Sequence, residues 1–227
     1  YQLPGKSLEI CCMHLDKGQM WIGTTTDGAY RLQLDKNELT HPILKGNITS
    51  IYQDSEGELW IGSWEEGLHH VKTDGTIEIF EYDAKNPYSI SSNFVRACCE
   101  DNLGNIWIGT FNGLNRYDKS TGLFQNHTAS DAQSDGLTHS SIWCIVKDNQ
   151  GTLWLGTYFG GVNYFNPEYE IYSRYMYSPI EKKGLSNPVV GRTIEDKDGN
   201  LWIGTEGGGL NYYNRRTHEF KWFRPEI

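Results

Sequence analysis

Apolar residues in this chain fall in short runs, each closed by Gly, Asp, Asn or Ser, which is the pattern of strands joined by tight turns. The clearest run is Gly57-Glu58-Leu59-Trp60-Ile61-Gly62-Ser63, and it occurs five times. The other copies centre on Trp21-Ile22-Gly23-Thr24, Trp107-Ile108-Gly109-Thr110, Trp154-Leu155-Gly156-Thr157 and Trp202-Ile203-Gly204-Thr205. From one Trp to the next the spacings are 39, 47, 47 and 48 residues, a period that marks a repeat array.

The third copy shows what one repeat contains. Val95 to Glu100 is an apolar run, Asp101-Asn102-Leu103-Gly104 a turn and Ile106 to Thr110 a second strand, so the pair predicts a hairpin. Phe111-Asn112-Gly113 breaks the chain, Leu114 to Asp118 alternates as a third strand, and Leu123 to His127 follows a Ser120-Thr121-Gly122 turn as a fourth. Four antiparallel strands in succession make a meander. Asp54, Asp101, Asp148 and Asp196 stand six residues before the repeat Trp, and Gly57, Gly104, Gly151 and Gly199 three before it. Such an Asp bonds the amides of its own turn and such a Gly tolerates positive φ, so both are read as structural. The first repeat is one residue shorter here, which predicts a tighter turn at Lys17-Gly18.

A meander of about 45 residues with apolar side chains on both faces is not stable alone, but copies packed face to face bury both. The expected architecture is all-β: a β-propeller filling residues 1–227, with blades at about 7–44, 45–83, 92–128, 140–176 and 188–224. Trp60, Trp107, Trp154 and Trp202 are expected at equivalent buried positions between blades, and Trp21 is the corresponding structural residue of the first repeat. Each blade completes its own fourth strand and none is set aside to close a ring, so the five read as an arc of a larger propeller. In that reading Tyr1 to Leu3 is the tail of a preceding blade, and the exposed end faces imply self-association, as a homodimer for instance, or missing neighbours. Loops between the second and third strands share a rim with the loops linking blades. Three linking loops, Asp83 to Asn93, Thr128 to Ser141 and Met176 to Pro188, are long and polar, as functional loops and tolerated insertions both are.

Composition narrows the class. Hydrophobic residues make up 37% and aromatics 13% with 25 glycines, so the core is built from Trp, Tyr and Phe on strands. A net charge of −9 argues against nucleic acid or an anionic membrane surface as a partner. No run of eighteen apolar residues is present, so this stretch does not itself insert into a membrane. Cys11, Cys12, Cys98, Cys99 and Cys144 match no zinc or disulfide spacing and read as buried free thiols.

The blade Asp-x-x-Gly-x-Leu-Trp-Ile-Gly-Thr-x-x-Gly-Gly-Leu-Asn-x-Tyr, carried almost verbatim by Asp196 to Tyr213 and Asp148 to Phe165, resembles the two-component regulator propeller repeat. That resemblance implies the periplasmic sensor region of an inner-membrane hybrid two-component protein, many of which respond to oligosaccharides. It also implies seven blades where five are visible here, further blades or propellers as partners in the parent protein, and a histidine kinase and phosphorelay output outside this stretch. The sialidase Asp-box is a poorer match, because Asp and Trp stand six apart.

No catalytic constellation emerges. The histidines His14, His41, His69, His70, His127, His139 and His218 lack metal-ligand spacing, so neither a metal nor a cofactor is expected. Glu65, Glu66 and Glu206 lie in rim loops, where a solvated charge is the commoner reading and an acid–base pair of a glycan lyase or hydrolase the alternative. Binding groups are better represented. Five residues before the repeat Asp the chain places Thr49, Arg96, Trp143 and Gly191, varied residues at one structural slot, and the rim loops offer Trp64, Phe111, Tyr158 and Phe159. Aromatic faces stack on sugar rings and arginines fix carboxylates. Trp64, Arg96, Phe111, Trp143, Tyr158 and Arg192 are therefore the candidate ligand residues of a non-enzymatic sensor, with an acidic oligosaccharide favoured. The aromatics could equally pack between blades, and a protein-interaction rim is a third reading.

Overall fold

Each predicted meander forms as a sheet of its own, and sequence order is strand order in all five. The computed structural model describes residues 9–40, 42–129, 136–167, 171–181 and 183–224; Tyr1 to Leu3 and His41 lie outside them. The first blade is β1 (Ile10–Asp16), β2 (Gln19–Thr24), β3 (Ala29–Gln33) and β4 (Glu38–Leu39); the second is β5 (Ile48–Gln53), β6 (Leu59–Ser63), β7 (Leu68–Val71) and β8 (Ile77–Phe80). The third is β9 (Val95–Glu100), β10 (Ile106–Thr110), β11 (Gly113–Asp118) and β12 (Leu123–His127). The fourth is β13 (Ile142–Lys147), β14 (Leu153–Thr157), β15 (Val162–Asn166) and β16 (Ile171–Tyr175), and the fifth β17 (Val190–Glu195), β18 (Leu201–Thr205), β19 (Gly209–Asn214) and β20 (Glu219–Phe223). The fold is an all-β propeller of four-stranded antiparallel blades. The chain divides into two compact units, Tyr1–Cys98 and Cys99–Ile227, with the border inside β9.

Within a blade the repeat Asp locks the first hairpin. Asp101 Oδ1 accepts the amides of Leu103 (2.8 Å) and Asn105 (2.9 Å), and Oδ2 accepts the Trp107 indole N–H (2.7 Å). The same indole bond joins Trp60 to Asp54, Trp154 to Asp148 and Trp202 to Asp196, at 2.9, 2.6 and 3.3 Å. A carboxylate that accepts several N–H groups holds turn and strand together. The first blade has the tight turn the sequence predicts, with φ of 44° at Lys17 and 82° at Gly18, the geometry of a two-residue hairpin. Without an Asp six residues back, the Trp21 indole N–H has no hydrogen-bond partner among the described residues.

Between blades, the inner strand of one packs on the first two strands of the blade before it: β5 on β1 and β2 in the first unit, β13 on β10 and β17 on β13 and β14 in the second. The core therefore sits at these junctions. One cluster joins Trp21, Ala29, Ile48, Ile51, Leu59 and Ile61, and another joins Trp154, Val162, Val190, Leu201, Ile203 and Tyr213. The glycine of Trp-Ile-Gly-Thr makes the close approach possible. A Cβ on Gly156 would lie 2.6 Å from Val190 Cγ1 and one on Gly109 2.7 Å from Ile142 Cγ2, distances that no side chain at those glycines could occupy.

Two expectations are corrected. Trp60, Trp107 and Trp154 are buried, at 0, 3 and 4% exposure, but Trp202 is only partly so. Trp107 is covered by Phe165 of the next blade and Trp154 by Tyr213, at 4.9 and 6.0 Å between ring centroids. No described aromatic of a later blade does this for Trp202, which rests on Tyr212 and Phe223 of its own sheet. Among the cysteines, all free, Cys98, Cys99 and Cys144 are buried but Cys11 and Cys12 only half so, because β1 presents Ile10, Met13 and Leu15 to solvent. Burial pushes the Cys99 thiol up to about 11 and raises that of Cys144, which leaves both protonated at neutral pH.

Candidate functional site

The variable slot singled out in the sequence is a β-bulge. Register slips between Ile10 and Cys12, Ile48 and Ser50, Ile142 and Cys144, and Val190 and Arg192, leaving Cys11, Thr49, Trp143 and Gly191 outside their ladders. A bulged residue is freed from pairing and its side chain re-aimed. Thr49 Oγ1 donates to the Val95 carbonyl at the start of the next inner strand (2.5 Å), and Cys11 Sγ donates to the Ile48 carbonyl. Both lean from one blade toward the next. Arg96 occupies the corresponding sequence position of β9.

In the second, fourth and fifth blades the loop after the Trp strand is tied to the entrance of the inner strand by a backbone bond: Trp64 N to Asn47 O, Tyr158 N to Ser141 O and Glu206 N to Val189 O, each 3.0 Å. Bulge and rim loop are thus brought together in each of these blades, and two aromatic groups result. In the first unit the Arg96 guanidinium lies 5.8 Å over the Trp64 ring and Phe94 meets that ring edge-on at 5.5 Å. Trp64 is 40% exposed while Arg96 is buried, so the cation is held in place and the indole offers a face. In the second unit Trp143 stacks on Tyr158 at 5.9 Å and 24°, Phe159 stands edge-on to Tyr158 at 4.3 Å, and His139 lies 6.5 Å from Tyr158. Phe159 is 55% exposed.

Four of the six candidates therefore fall into two pairs, Trp64 with Arg96 and Trp143 with Tyr158. Phe111 stands on the loop after β10, 54% exposed. Arg192 has a different setting. It pairs with Gly204 in the ladder, one residue past the bulge, and lines a groove on the fifth blade with Ile194, Trp202 and Leu210. Phe94 was not singled out in the sequence, and His139 only as one of the histidines, although each lies within four residues of a variable slot.

The long linking loops are also held more firmly than their composition implies. Asn163 of β15 accepts the Thr138 amide (3.0 Å) and donates to its hydroxyl (2.8 Å), and Asn211 of β19 does the same to Ser186 (2.8 and 2.9 Å). Leu137 and Leu185 beside them are buried. The signal was present in the third-strand Asn of the repeat. In β7 that position is His69, buried at 2% exposure, and burial holds its imidazole below the usual value.

Asp54, Glu58 and His70 form a group of three that could hold a metal ion among the described residues. His70 Nε2 lies 2.7 Å from Glu58 Oε2, but Asp54 is occupied by the indole and amides of its own turn. His70 stacks on Trp60 at 3.9 Å and 9°, in the cross-strand place that Arg31, Arg116, Tyr164 and Tyr212 take against their own Trp. This is the blade lock with a planar partner, and it explains the cluster without a metal. Glu65, Glu66 and Glu206 are exposed.

The family model described as "Two component regulator propeller" matches residues 42–65, 89–112, 136–159 and 184–207. These segments are the linking loop, inner strand and Trp strand of the second to fifth blades. No curated protein matches the chain. Among solved structures it is similar to the extracellular domain of BT3049 from B. thetaiotaomicron, named as a hybrid two-component system, at TM-score 0.74 and 20% identity over 93% of this chain and 29% of that one. The extracellular domain of BT4673 from the same organism, named likewise, gives TM-score 0.71 and 21% identity over 100% of this chain and 29% of that one. Virginiamycin B lyase from Staphylococcus aureus gives TM-score 0.71 and 14% identity over 96% of this chain and 70% of that one. At these identities the likeness is one of fold, and the chain spans 29% of each extracellular domain.

Proposed function

Because the two-component regulator propeller model matches segments of the second to fifth repeats, we propose that the chain is a ligand-sensing propeller module of a hybrid two-component protein, placed outside the cytoplasm, that recognises an oligosaccharide. The observation that carries the reading is the Trp143–Tyr158 stack with Phe159 beside it, built on a bulge and a rim loop whose side chains the blade does not dictate. Flat aromatic faces with partial exposure suit the C–H faces of sugar rings. In the first unit, Arg96 fixed against Trp64 forms a separate candidate group, whose cation favours an acidic sugar over a neutral one. The similar extracellular domains support the sensor class. Any kinase activity belongs to other parts of the parent protein.

The test is calorimetric titration with matched neutral and uronic-acid oligosaccharides, using the unmodified chain, Trp143→Ala and Arg96→Ala. Trp143→Ala is expected to weaken oligosaccharide binding at the second unit's group by about 1–3 kcal/mol, and Arg96→Ala to remove the preference for acid over neutral at the first unit's group. Unchanged affinity in a variant would refute the group it belongs to. The fold shared with a lyase keeps an enzymatic reading in view: release of new reducing ends or unsaturated products during the titration would replace the sensor by a glycan-cleaving enzyme.

A further inference from the structure

Two cysteines that an ordinary strand would point to opposite faces are brought together at the bulge of the first blade. Alternation keeps neighbouring side chains of a strand apart, and a bulge breaks it. In β1 the register slips between Ile10 and Cys12, and the Cys11 and Cys12 sulfurs lie 4.0 Å from one another. Both side chains are half-buried, which leaves them accessible to small solutes. Cys12 pairs with Gly23 and packs on the cluster of Trp21 and Ile48. Cys11 donates to the carbonyl oxygens of Gly23, at 3.2 Å, and of Ile48. The second blade holds Thr49 and Ser50 at these two places, hydroxyls where the first has thiols.

We propose that Cys11 and Cys12 together form a thiolate site for a soft monovalent cation, Cu(I). On the scale of a thiolate–metal bond of about 2.3 Å, one cation bridges two sulfurs up to roughly 4.6 Å apart, and the observed 4.0 Å lies within that reach. Soft thiolates select Cu(I). The ligand count argues against zinc, whose sites take three or four protein ligands, because among the described residues no third His, Cys, Asp or Glu joins the pair. Binding exchanges two thiol protons for one cation, so the centre carries a single negative charge. The Gly23 and Ile48 carbonyls that accept the Cys11 proton then face the cation. Oxidation to a disulfide is the competing fate, and geometry opposes it. The Cα atoms of adjacent residues are about 3.8 Å apart, short of the roughly 4.4 Å at which ordinary disulfides begin, so the pair persists as a dithiol. The inference is independent of the oligosaccharide reading.

The experiment titrates the reduced chain with Cu(I) under nitrogen against bicinchoninate, a chromogenic Cu(I) chelator. One equivalent is expected to be withheld from the chelator, with sulfur-to-copper charge transfer in the near ultraviolet. Cys11→Thr and Cys12→Ser install the second blade's own residues at the same places, and matching circular dichroism spectra show that each variant keeps the fold. Each should weaken retention by about a hundredfold or more, the upper end of what losing a group behind a metal ligand costs. Cys144→Ser, at the place of Cys12 in the fourth blade, should leave retention unchanged, since its thiol is buried. No equivalent withheld by the unmodified chain, or equal retention in either the Cys11 or the Cys12 variant, would overturn the proposal. So would loss of retention in Cys144→Ser, or recovery of the air-exposed chain with Cys11 and Cys12 joined as a disulfide, read by mass spectrometry of the peptide that spans them.

Discussion

Trp154 and Trp202 share a motif and differ in what lies over them. Both indoles donate to an Asp six residues back, at 2.6 and 3.3 Å, and both have a Tyr as cross-strand partner. Trp154 is also covered by Tyr213 and by the Arg215 guanidinium, 4.9 Å above its ring, from the fifth blade; Trp202 has no such cover among the described residues. The difference separates two sources of stability that the repeat sequence presents as one. The Asp–Trp bond is made within a blade, whereas burial of the indole is made by the next blade. Repeat arrays are expected to divide their stability in this way, between intrinsic and neighbour terms.

The largest effect that would sharpen the comparison is truncation of the two indoles. Trp154→Ala is expected to cost roughly 3–5 kcal/mol and Trp202→Ala about 1–2 kcal/mol, read from urea midpoints of the unfolding transition. Equal costs would show that the intra-blade bond carries most of the stability. Next come the glycines. Gly156→Ala drives a methyl into Val190 and should cost about 1–3 kcal/mol, while Gly204→Ala, whose Cβ would meet the Arg192 carbonyl oxygen at an ordinary contact distance of 3.7 Å, should stay within about 0.5 kcal/mol of the unmodified chain.

The smallest effect concerns the β7 position where His69 stands in place of the third-strand Asn. Its folded value is depressed by burial, so the neutral form is the one the fold favours. The associated stability is complete above the unfolded value of about 6.5 and is lost as pH falls through the lower folded value. His69→Asn, which restores the residue found in β11, β15 and β19, should flatten the decline in melting temperature between neutral pH and pH 5. An identical decline in the variant would place the acid sensitivity elsewhere.

Much of the fold could be read from the sequence because its determinants recur: an Asp, a Gly and a Trp at fixed offsets imply the same hairpin each time, and the third repeat alone delimits β9 to β12 within a residue. The site was legible only as far as repeat alignment reaches. Alignment marked Thr49, Arg96, Trp143 and Gly191 as a slot free to vary, and the bulge explains why: a residue outside the ladder has no partner to constrain it. Arg192, named as a rim candidate, stands one residue past the bulge, pairs with Gly204 in the ladder and lines the groove on the fifth blade. The clasp of Asn163 on Thr138 and Asn211 on Ser186 was not foreseen because the partners lie 25 residues apart and the loops, judged by composition, read as unconstrained. Burial of Trp202 was predicted from its motif, but burial depends on a neighbour that the motif does not contain.

The most direct test is native-state hydrogen exchange of the chain as it stands, comparing residues 153–157 with residues 201–205. These strands have the same sequence pattern and the same place in their sheets, so only their cover differs. Cover by a following blade as the deciding factor predicts exchange about tenfold or more faster in 201–205; equal protection of the two strands would contradict it.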